Sequence, residues 1–354
     1  MYEKLEKILH DKKADAILVS DGYNMHYISG FRGATGYLYL TGQRKVLMTD
    51  SRYTTQASEE TEGYEILEAG GGTGYAELLG KQLAKDHIRA ICYEDNQMIC
   101  ADFHKLREAC GKAEWVPLGD SLNSLRMVKT EVELAKIANA QSIADKAFSY
   151  ILDEIKPGVT ELAIAAKLEY FMKEQGASGT SFDTIVASGL HSAMPHAIPS
   201  EKKIRKGDFV TMDFGCIWDG YCSDMTRTVV VGKASEKQKE IYSIVLEAQR
   251  AALHVIRAGL TGAQVDKAAR DLIAGAGYGE YFGHGLGHGV GLFIHEEPRL
   301  SPNCHTKLEK GMIQTVEPGI YLPEFGGVRI EDMVVITEDG CRNFTQSPKE
   351  LIQL

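Results

Sequence analysis

The sequence predicts a two-part chain: a smaller α/β domain over residues 1–126, then an α+β domain over 127–354 built on an internal repeat. Three observations predict it. Short apolar runs alternate with helical stretches through the first third of the chain. A capping box, Thr130 followed by Glu133, opens a long helical pattern just after Met127. A helix–turn–helix segment then recurs about 101 residues further on, each copy followed by a strand-rich region holding a pair of acids. A length of 354 residues also suits two domains rather than one.

In the first part, AILVS, KVLMTD, YEILEA and AICYED read as strands, and segments such as 75–86 and 101–113 as the helices between them. No G-x-G-x-x-G follows the first strand, so no dinucleotide site is expected. In the second part, the helix opened by Thr130 runs through Leu134, Ile137, Ile143 and Ile151 and stops at Pro157-Gly158. The repeat follows: KPGVTELAIAAKLEYFMKEQGA at 156–177 is similar to RAGLTGAQVDKAARDLIAGAGY at 257–278. Each copy has a helix end, a Gly, a Thr at an N-cap, a second helix and a Gly stop.

The first acidic pair lies in DFVTMDFGCIWDGYCSDMTRTVVV, residues 208–231. Two β-rich runs flank Trp218-Asp219-Gly220, a hairpin signal. A turn centred on Trp218 and Asp219 sets Asp213 directly opposite Asp224, with Cβ atoms ~5 Å apart; a shifted register leaves them diagonal at ~7–8 Å. Facing carboxylates in a buried sheet repel unless a proton or a cation lies between them. A solvated sheet face is the bland alternative, against which Val210, Phe214 and the 228–231 run argue for burial.

The second pair lies in MIQTVEPGIYLPEFGGVRIEDMVVI, residues 312–336. Glu317 ends one strand-like run and Glu331 lies within another, two residues after Arg329 and on the same face. Glu317 follows Asp213 by 104 residues and Glu331 follows Asp224 by 107, close to the helical repeat. A duplicated helix–helix–hairpin unit, with one acidic pair from each copy meeting at the centre, is the simplest reading. Four carboxylates in one pocket bring about four negative charges, which two divalent cations would neutralise.

FGHGLGHGVGLFIHEEP, residues 282–298, gathers His284, His288 and His295. Glycine at 283, 285, 287, 289 and 291 makes a helix improbable. An extended segment puts the glycines on one face and His284, Leu286 and His288 on the other. A phosphate-cradling loop would need a P-loop lysine, which is absent. Upstream, HSAMPHAIPS offers His191 and His196; His191 alone means little. His10, His26, His87, His104, His254 and His305 read as structural or exposed.

With these residues in hand, the stretch from roughly 130 to 340 resembles the proline-specific metallopeptidases, aminopeptidase P and prolidase, and more distantly methionine aminopeptidase and creatinase. The resemblance implies a pseudo-symmetric pita-bread catalytic domain over 127–354. It also implies a metal set of Asp213, Asp224, His288, Glu317 and Glu331, with Glu317 also moving a proton. His196, His284 and His295 match the family's additional site histidines, and Arg329 its supporting arginine. His196, His284 and Tyr321 are candidates to line the pocket for the proline ring. Residues 1–126 look like the family's N-terminal domain, with SGFRGATGYL and TDSRYTTQA similar to the aminopeptidase P branch. The expected activity is therefore release of an N-terminal residue from small peptides with proline second. The alternatives are an Xaa-Pro dipeptidase, a methionine-type aminopeptidase and a metal-free binding protein on the same fold. Four carboxylates with one imidazole suit two Mn²⁺ ions, with Zn²⁺, Co²⁺ or Fe²⁺ as alternatives. A homodimer is expected.

Composition bounds the partners. The formal net charge of −10 argues against a nucleic-acid partner. No 18-residue apolar run appears, so no membrane span is expected. The start, MYEKLEKILHDKKADA, has no signal-peptide core, which points to the cytoplasm. The seven cysteines form no C-x-x-C pair and read as reduced; Cys216 and Cys222, near each other across the hairpin, are expected to stay unbridged.

Overall fold

Strand β1, Ala16–Val19, has all four side chains out of water. It needs to be apolar on both faces because both are covered: Ile17 and Val19 pack with Leu5, Met25 and Ala57, while Ala16 and Leu18 pack with Leu79, Leu83 and Leu106. The computed structural model describes residues 1–354, which divide into two compact units, Met1–Arg126 and Met127–Leu354.

In the first unit, β1 is joined by β2 (Tyr37–Thr41), β3 (Lys45–Asp50), β4 (Glu65–Ala69), β5 (Ala90–Tyr93) and β6 (Glu114–Pro117). The sheet order is β4-β3-β2-β1-β5-β6. Strands β2 and β6 were not among the strands read from sequence. Helices α1 (Tyr2–Lys12), α2 (Gly22–Ser29) and α3 (Thr54–Glu60) supply Leu5, Met25 and Ala57 to one face. Helices α4 (Tyr75–Lys85) and α5 (Cys100–Ala109) cover the other.

The second unit is the pita-bread fold, and its two halves start alike. Helix α6 (Glu131–Ile151) begins at the capping box of Thr130 and Glu133, and α7 (Glu161–Glu174) at Thr160. The second half has α8 (Glu236–Val255), with a capping box of Ser235 and Gln238, and α9 (Gly262–Gly275), with one of Thr261 and Gln264. Each cap satisfies helix N–H groups that lack an intrahelical partner, worth about 1 kcal/mol apiece. Strands follow each helix pair. The first half has β7 (Gly179–Thr180), β8 (Ile185–Ser188), β9 (Phe209–Phe214), β10 (Cys216–Trp218), β11 (Tyr221–Cys222) and β12 (Met225–Val230). The second has β13 (Gly287–Gly289), β14 (Glu296–Leu300), β15 (Ile313–Val316), β16 (Gly319–Leu322), β17 (Gly326–Arg329), β18 (Asp332–Ile336) and β19 (Cys341–Asn343). Each half has its own core, one around Phe148, Leu168 and Phe214, the other around Val245, Ile273 and Val316. Truncating the fully buried Phe214 to Ala would cost about 3–5 kcal/mol.

The register of the first hairpin differs from the one its sequence suggests. The turn centres on Asp219 and Gly220, both left-handed with φ of 48° and 85°. Trp218 pairs with Tyr221 and Asp213 with Thr226. Two consecutive left-handed residues match the right-handed twist of the flanking strands, which a Trp218-Asp219 turn would not. Asp213 and Asp224 therefore lie diagonally, not opposite. In the second half Val316 pairs with Asp332, so Glu317 and Glu331 are the next facing positions. The pseudo-equivalent of Glu331 is thus Thr226, and the first-half acid sits two residues nearer its turn. Cys216 and Cys222 are offset as well, and all seven cysteines are free.

Candidate active site

The site forms where the strand ends of the two halves meet. Glu331 N–H donates to Thr226 C=O at 3.1 Å, and Thr211 Oγ1 donates to Gly327 C=O at 3.3 Å. A cavity of roughly 660 Å³ opens there, lined among others by Asp213, Asp224, His288, Glu317, Glu331, Arg329, His196, His284 and His295. Ligand atoms of Asp224, His288 and Glu331 all lie within 4.8 Å of one another.

His288 is held on the extended strand β13. The glycines beside it are required by contact: a Cβ on Gly287 would come within 2.1 Å of Thr315 C=O. The His288 backbone N–H donates to Thr315 Oγ1, and its Nδ1 donates to Gly289 C=O at 3.0 Å. With Nδ1 carrying the proton, the Nε2 lone pair points at Asp224 Oδ2, 3.5 Å away, and at Glu317 Oε1, 3.4 Å away. Burial pushes this imidazole down to about 3, so it stays neutral. A bare lone pair facing two carboxylate oxygens is an arrangement that a cation between them satisfies.

The carboxylates point to the same conclusion. Burial, then the neighbouring acids Asp213 and Glu317, raise Asp224 well above the usual range, and burial with Asp224 does the same to Glu331. Glu317 is pushed up to about 8, by burial first, against the opposing pull of Arg329. One oxygen of Asp213, Oδ1, is buried without any hydrogen-bond partner. Buried acceptors are almost always satisfied, so the orphan marks a missing positive partner. The donor set, four carboxylates and one neutral imidazole, fits divalent cations.

Arg329 anchors one side of the site. It donates to Asp213 Oδ2 at 2.7 Å, to Tyr321 Oη at 2.8 Å and to Thr226 Oγ1 at 3.0 Å. Thr226 in turn donates to Glu331 at 2.6 Å, and Thr315 donates to Glu317 at 3.0 Å. Neither threonine was singled out from the sequence; the available signal was a threonine two residues from an acid on the same strand face.

The histidines divide. His284 donates from Nδ1 to Gly285 C=O and accepts at Nε2 from Tyr321 Oη at 2.9 Å. Burial pushes it down to about 4, so it is a neutral acceptor. His295 stands 4.6 Å from the His288 ring, centroid to centroid, and is pushed down by burial and then by Arg299. His196 is exposed on the cavity wall. Tyr321 departs from expectation. It is buried behind Arg329 and His284, which use its hydroxyl, and it does not line the cavity. Gly319 pairs with Arg329 and Tyr321 with Gly327, so Tyr321 shares a sheet face with Arg329, and its hydroxyl is taken up by that guanidinium and by His284.

The comparisons with known proteins agree with this geometry. The metallopeptidase family M24 matches residues 135–338, and the creatinase/prolidase N-terminal domain matches residues 1–128. The chain belongs to metallopeptidase family M24. Among its relatives, an Xaa-Pro dipeptidase of Pyrococcus horikoshii is 42% identical over 99% of both chains. The solved structure of an Xaa-Pro dipeptidase from Bacillus anthracis matches with a TM-score of 0.97 at 46% identity, covering 100% of this chain and 99% of that one. An X-Pro aminopeptidase from Thermotoga maritima matches at 0.92 and 40%, covering 98% and 100%. The protein is thus a metal-dependent peptidase of the proline-specific branch. The dipeptidase names along the full length favour the dipeptide alternative over the aminopeptidase reading drawn from SGFRGATGYL and TDSRYTTQA.

Proposed function

We propose that the chain is an Xaa-Pro dipeptidase that uses two divalent cations, Mn²⁺ by preference, held by Asp213, Asp224, His288, Glu317 and Glu331. The observation that carries the dipeptide reading is the full-length similarity to proteins named Xaa-Pro dipeptidase. Arg299 supports it. It lies in strand β14 and lines the cavity. Its side chain is half-exposed and its one ion pair is a loose 3.5 Å one to Glu297, outside the cavity lining. It is therefore the cation positioned to take the free carboxylate of a terminal proline.

Divalent ions in this donor set would lower the pKa of water and polarise the scissile carbonyl. The protein's own groups do the rest. His295, neutral and beside His288, donates to the oxygen on which negative charge develops, a contribution typically worth ~3–4 kcal/mol. Glu317 takes the proton lost by water and passes it to the proline nitrogen, which has no hydrogen of its own in the peptide. His196 and His284 bound the space beside the ring. The free cysteines fit a reducing cytoplasm, and a homodimer is the assembly we propose.

The test is a single assay after Mn²⁺ loading, with a chelator control, comparing an Xaa-Pro dipeptide with an Xaa-Pro-Xaa tripeptide. Fast cleavage of the dipeptide and little of the tripeptide is expected. The reverse preference would return the activity to an aminopeptidase.

A further inference from the structure

One buried carboxylate outside the metal set has no role in the chemistry above. Glu161, the first residue of α7, is fully buried, and its two oxygens accept five hydrogen bonds. Oε1 takes Ser188 N–H and Oγ, both at 2.7 Å. Oε2 takes Ser200 Oγ at 2.7 Å, Ser200 N–H at 3.2 Å and His191 Nδ1 at 3.1 Å. Ser188 ends strand β8, and Ser200 closes the segment that returns to α7. Between them run a short 3-10 turn, Gly189–Ala193, and then Met194 to Pro199.

That segment is a wall of the catalytic cavity: Pro195, His196, Ala197, Ile198 and Pro199 all line it. Met194, His196 and Ile198 face water, Ile198 at 85% exposure, while Pro195 and Pro199 are half-buried and Ala197 is buried. Its tip is held by one buried side chain, Ala197 against Ile185 and Ala187, so the position of the tip depends heavily on its two ends. One carboxylate grips both. The base of the segment is also fixed to the strand that ends in Arg329, because Ser192 Oγ accepts from Gly327 N–H at 2.8 Å. The hydrogen bonds outweigh burial and keep Glu161 below the usual carboxylate range, hence charged, which strengthens each bond.

We propose that Glu161 is a positioning residue that closes the loop 188–200 and thereby sets His196 in the substrate pocket. This rests on the Xaa-Pro peptidase reading for the consequence in turnover, but not for the clamp itself. Replacing Glu161 with Gln keeps the shape and removes the charge. It also turns one acceptor into a donor that faces the donors of Ser200 and His191.

The experiment has two arms on the metal-loaded, full-length protein. In the first, Glu161→Gln and His196→Ala are made singly and together, and kcat/KM on an Xaa-Pro dipeptide is measured with metal content. Glu161→Gln alone is expected to lose about ten- to hundred-fold, with metal content unchanged. In the His196→Ala background the same change is expected to cost at most a few-fold, since a group acting through His196 cannot act twice. Equal losses in both backgrounds, or loss of metal, would overturn the proposal. The second arm measures hydrogen exchange over residues 189–199 and needs no turnover. Glu161→Gln is expected to speed exchange there at least ten-fold, with the rest of α7 protected; unchanged exchange would sink the clamp. If the parent protein cleaves no Xaa-Pro peptide, the reading of function fails and this arm alone decides the clamp. Ser200→Ala, which deletes only the loop-side hydroxyl, serves in both arms should Glu161→Gln not fold.

Discussion

Arg329 donates to one oxygen of Asp213 at 2.7 Å, while the other oxygen of that carboxylate is buried and accepts nothing from the protein. The guanidinium fixes the orientation of the carboxylate and leaves its free lone pairs turned toward the cavity. Arg329 is itself 3% exposed and also donates to Tyr321 and Thr226, so three separate partners fix its placement. Charge alone would not substitute for that fork. Arg329→Lys is expected to lower metal affinity or kcat/KM by about 10- to 100-fold. Metal titration calorimetry with steady-state kinetics checks this, and parent-like values in both would refute it.

The separation between ligand and oxyanion donor predicts opposite outcomes at two neighbouring residues. Asp224→Ala removes a carboxylate from the tight cluster with His288 and Glu331, and metal bound per chain should fall. His295→Ala should keep the metal and lose turnover by about 10²–10³-fold. Elemental analysis after desalting, run beside kcat, distinguishes them. A metal-replete Asp224→Ala protein would overturn the ligand set.

Chelation should cost more stability at pH 8 than at pH 5. In the metal-free chain Glu317 has its pKa raised to about 8, and Asp224 and Glu331 are raised too. A folded value above the unfolded one means the native state holds extra protons between the two. The stability these groups provide is complete below about 4 and is lost as pH rises toward about 8. Bound cations need the same groups deprotonated and so stabilise most at high pH. The drop in Tm on adding EDTA should therefore widen from pH 5 to pH 8; an equal or larger drop at pH 5 contradicts the account.

Behind the metal face, Arg227 and Asp332 form a fully buried pair at 2.8 Å, to which Lys349 and Gln249 add. Arg227 also donates to Pro348 and Ser347 carbonyls, tying the C-terminal segment to β12. Removing one member leaves a buried charge poorly matched. Arg227→Leu is expected to destabilise by about 3–5 kcal/mol. Urea unfolding measures it, and a cost below about 1 kcal/mol would show that Lys349 suffices.

Arg299→Gln should raise KM for an Xaa-Pro dipeptide by about ten-fold or more, with kcat changed little, because the contact is the same in ground and transition states. The same substitution should leave KM for an amidated Xaa-Pro substrate unaffected. A fall confined to kcat would give Arg299 a different task.

Much of this was legible in residue order. Thr130 and Glu133 announced α6 because a capping box is local chemistry, closed within four residues. The glycine-rich run around His288 announced an extended segment because such a run cannot hold a helix. The acids Asp213, Asp224, Glu317 and Glu331 stood out because strongly polar residues inside apolar strand runs demand a partner. Tertiary structure alone decided the rest. The turn slipped one residue to Asp219-Gly220, since strand twist selects the backbone hand there, and that slip put Asp213 diagonal to Asp224. Tyr321 went behind the wall because its hydroxyl is taken by Arg329, on the same sheet face, and by His284. Thr226 and Glu161 were invisible, as each is defined by partners from distant parts of the chain: Glu331 lies 105 residues from Thr226, and Ser200 lies 39 from Glu161. Sequence determines which groups need partners; only the packed chain, where distant backbones meet, determines which partners they find.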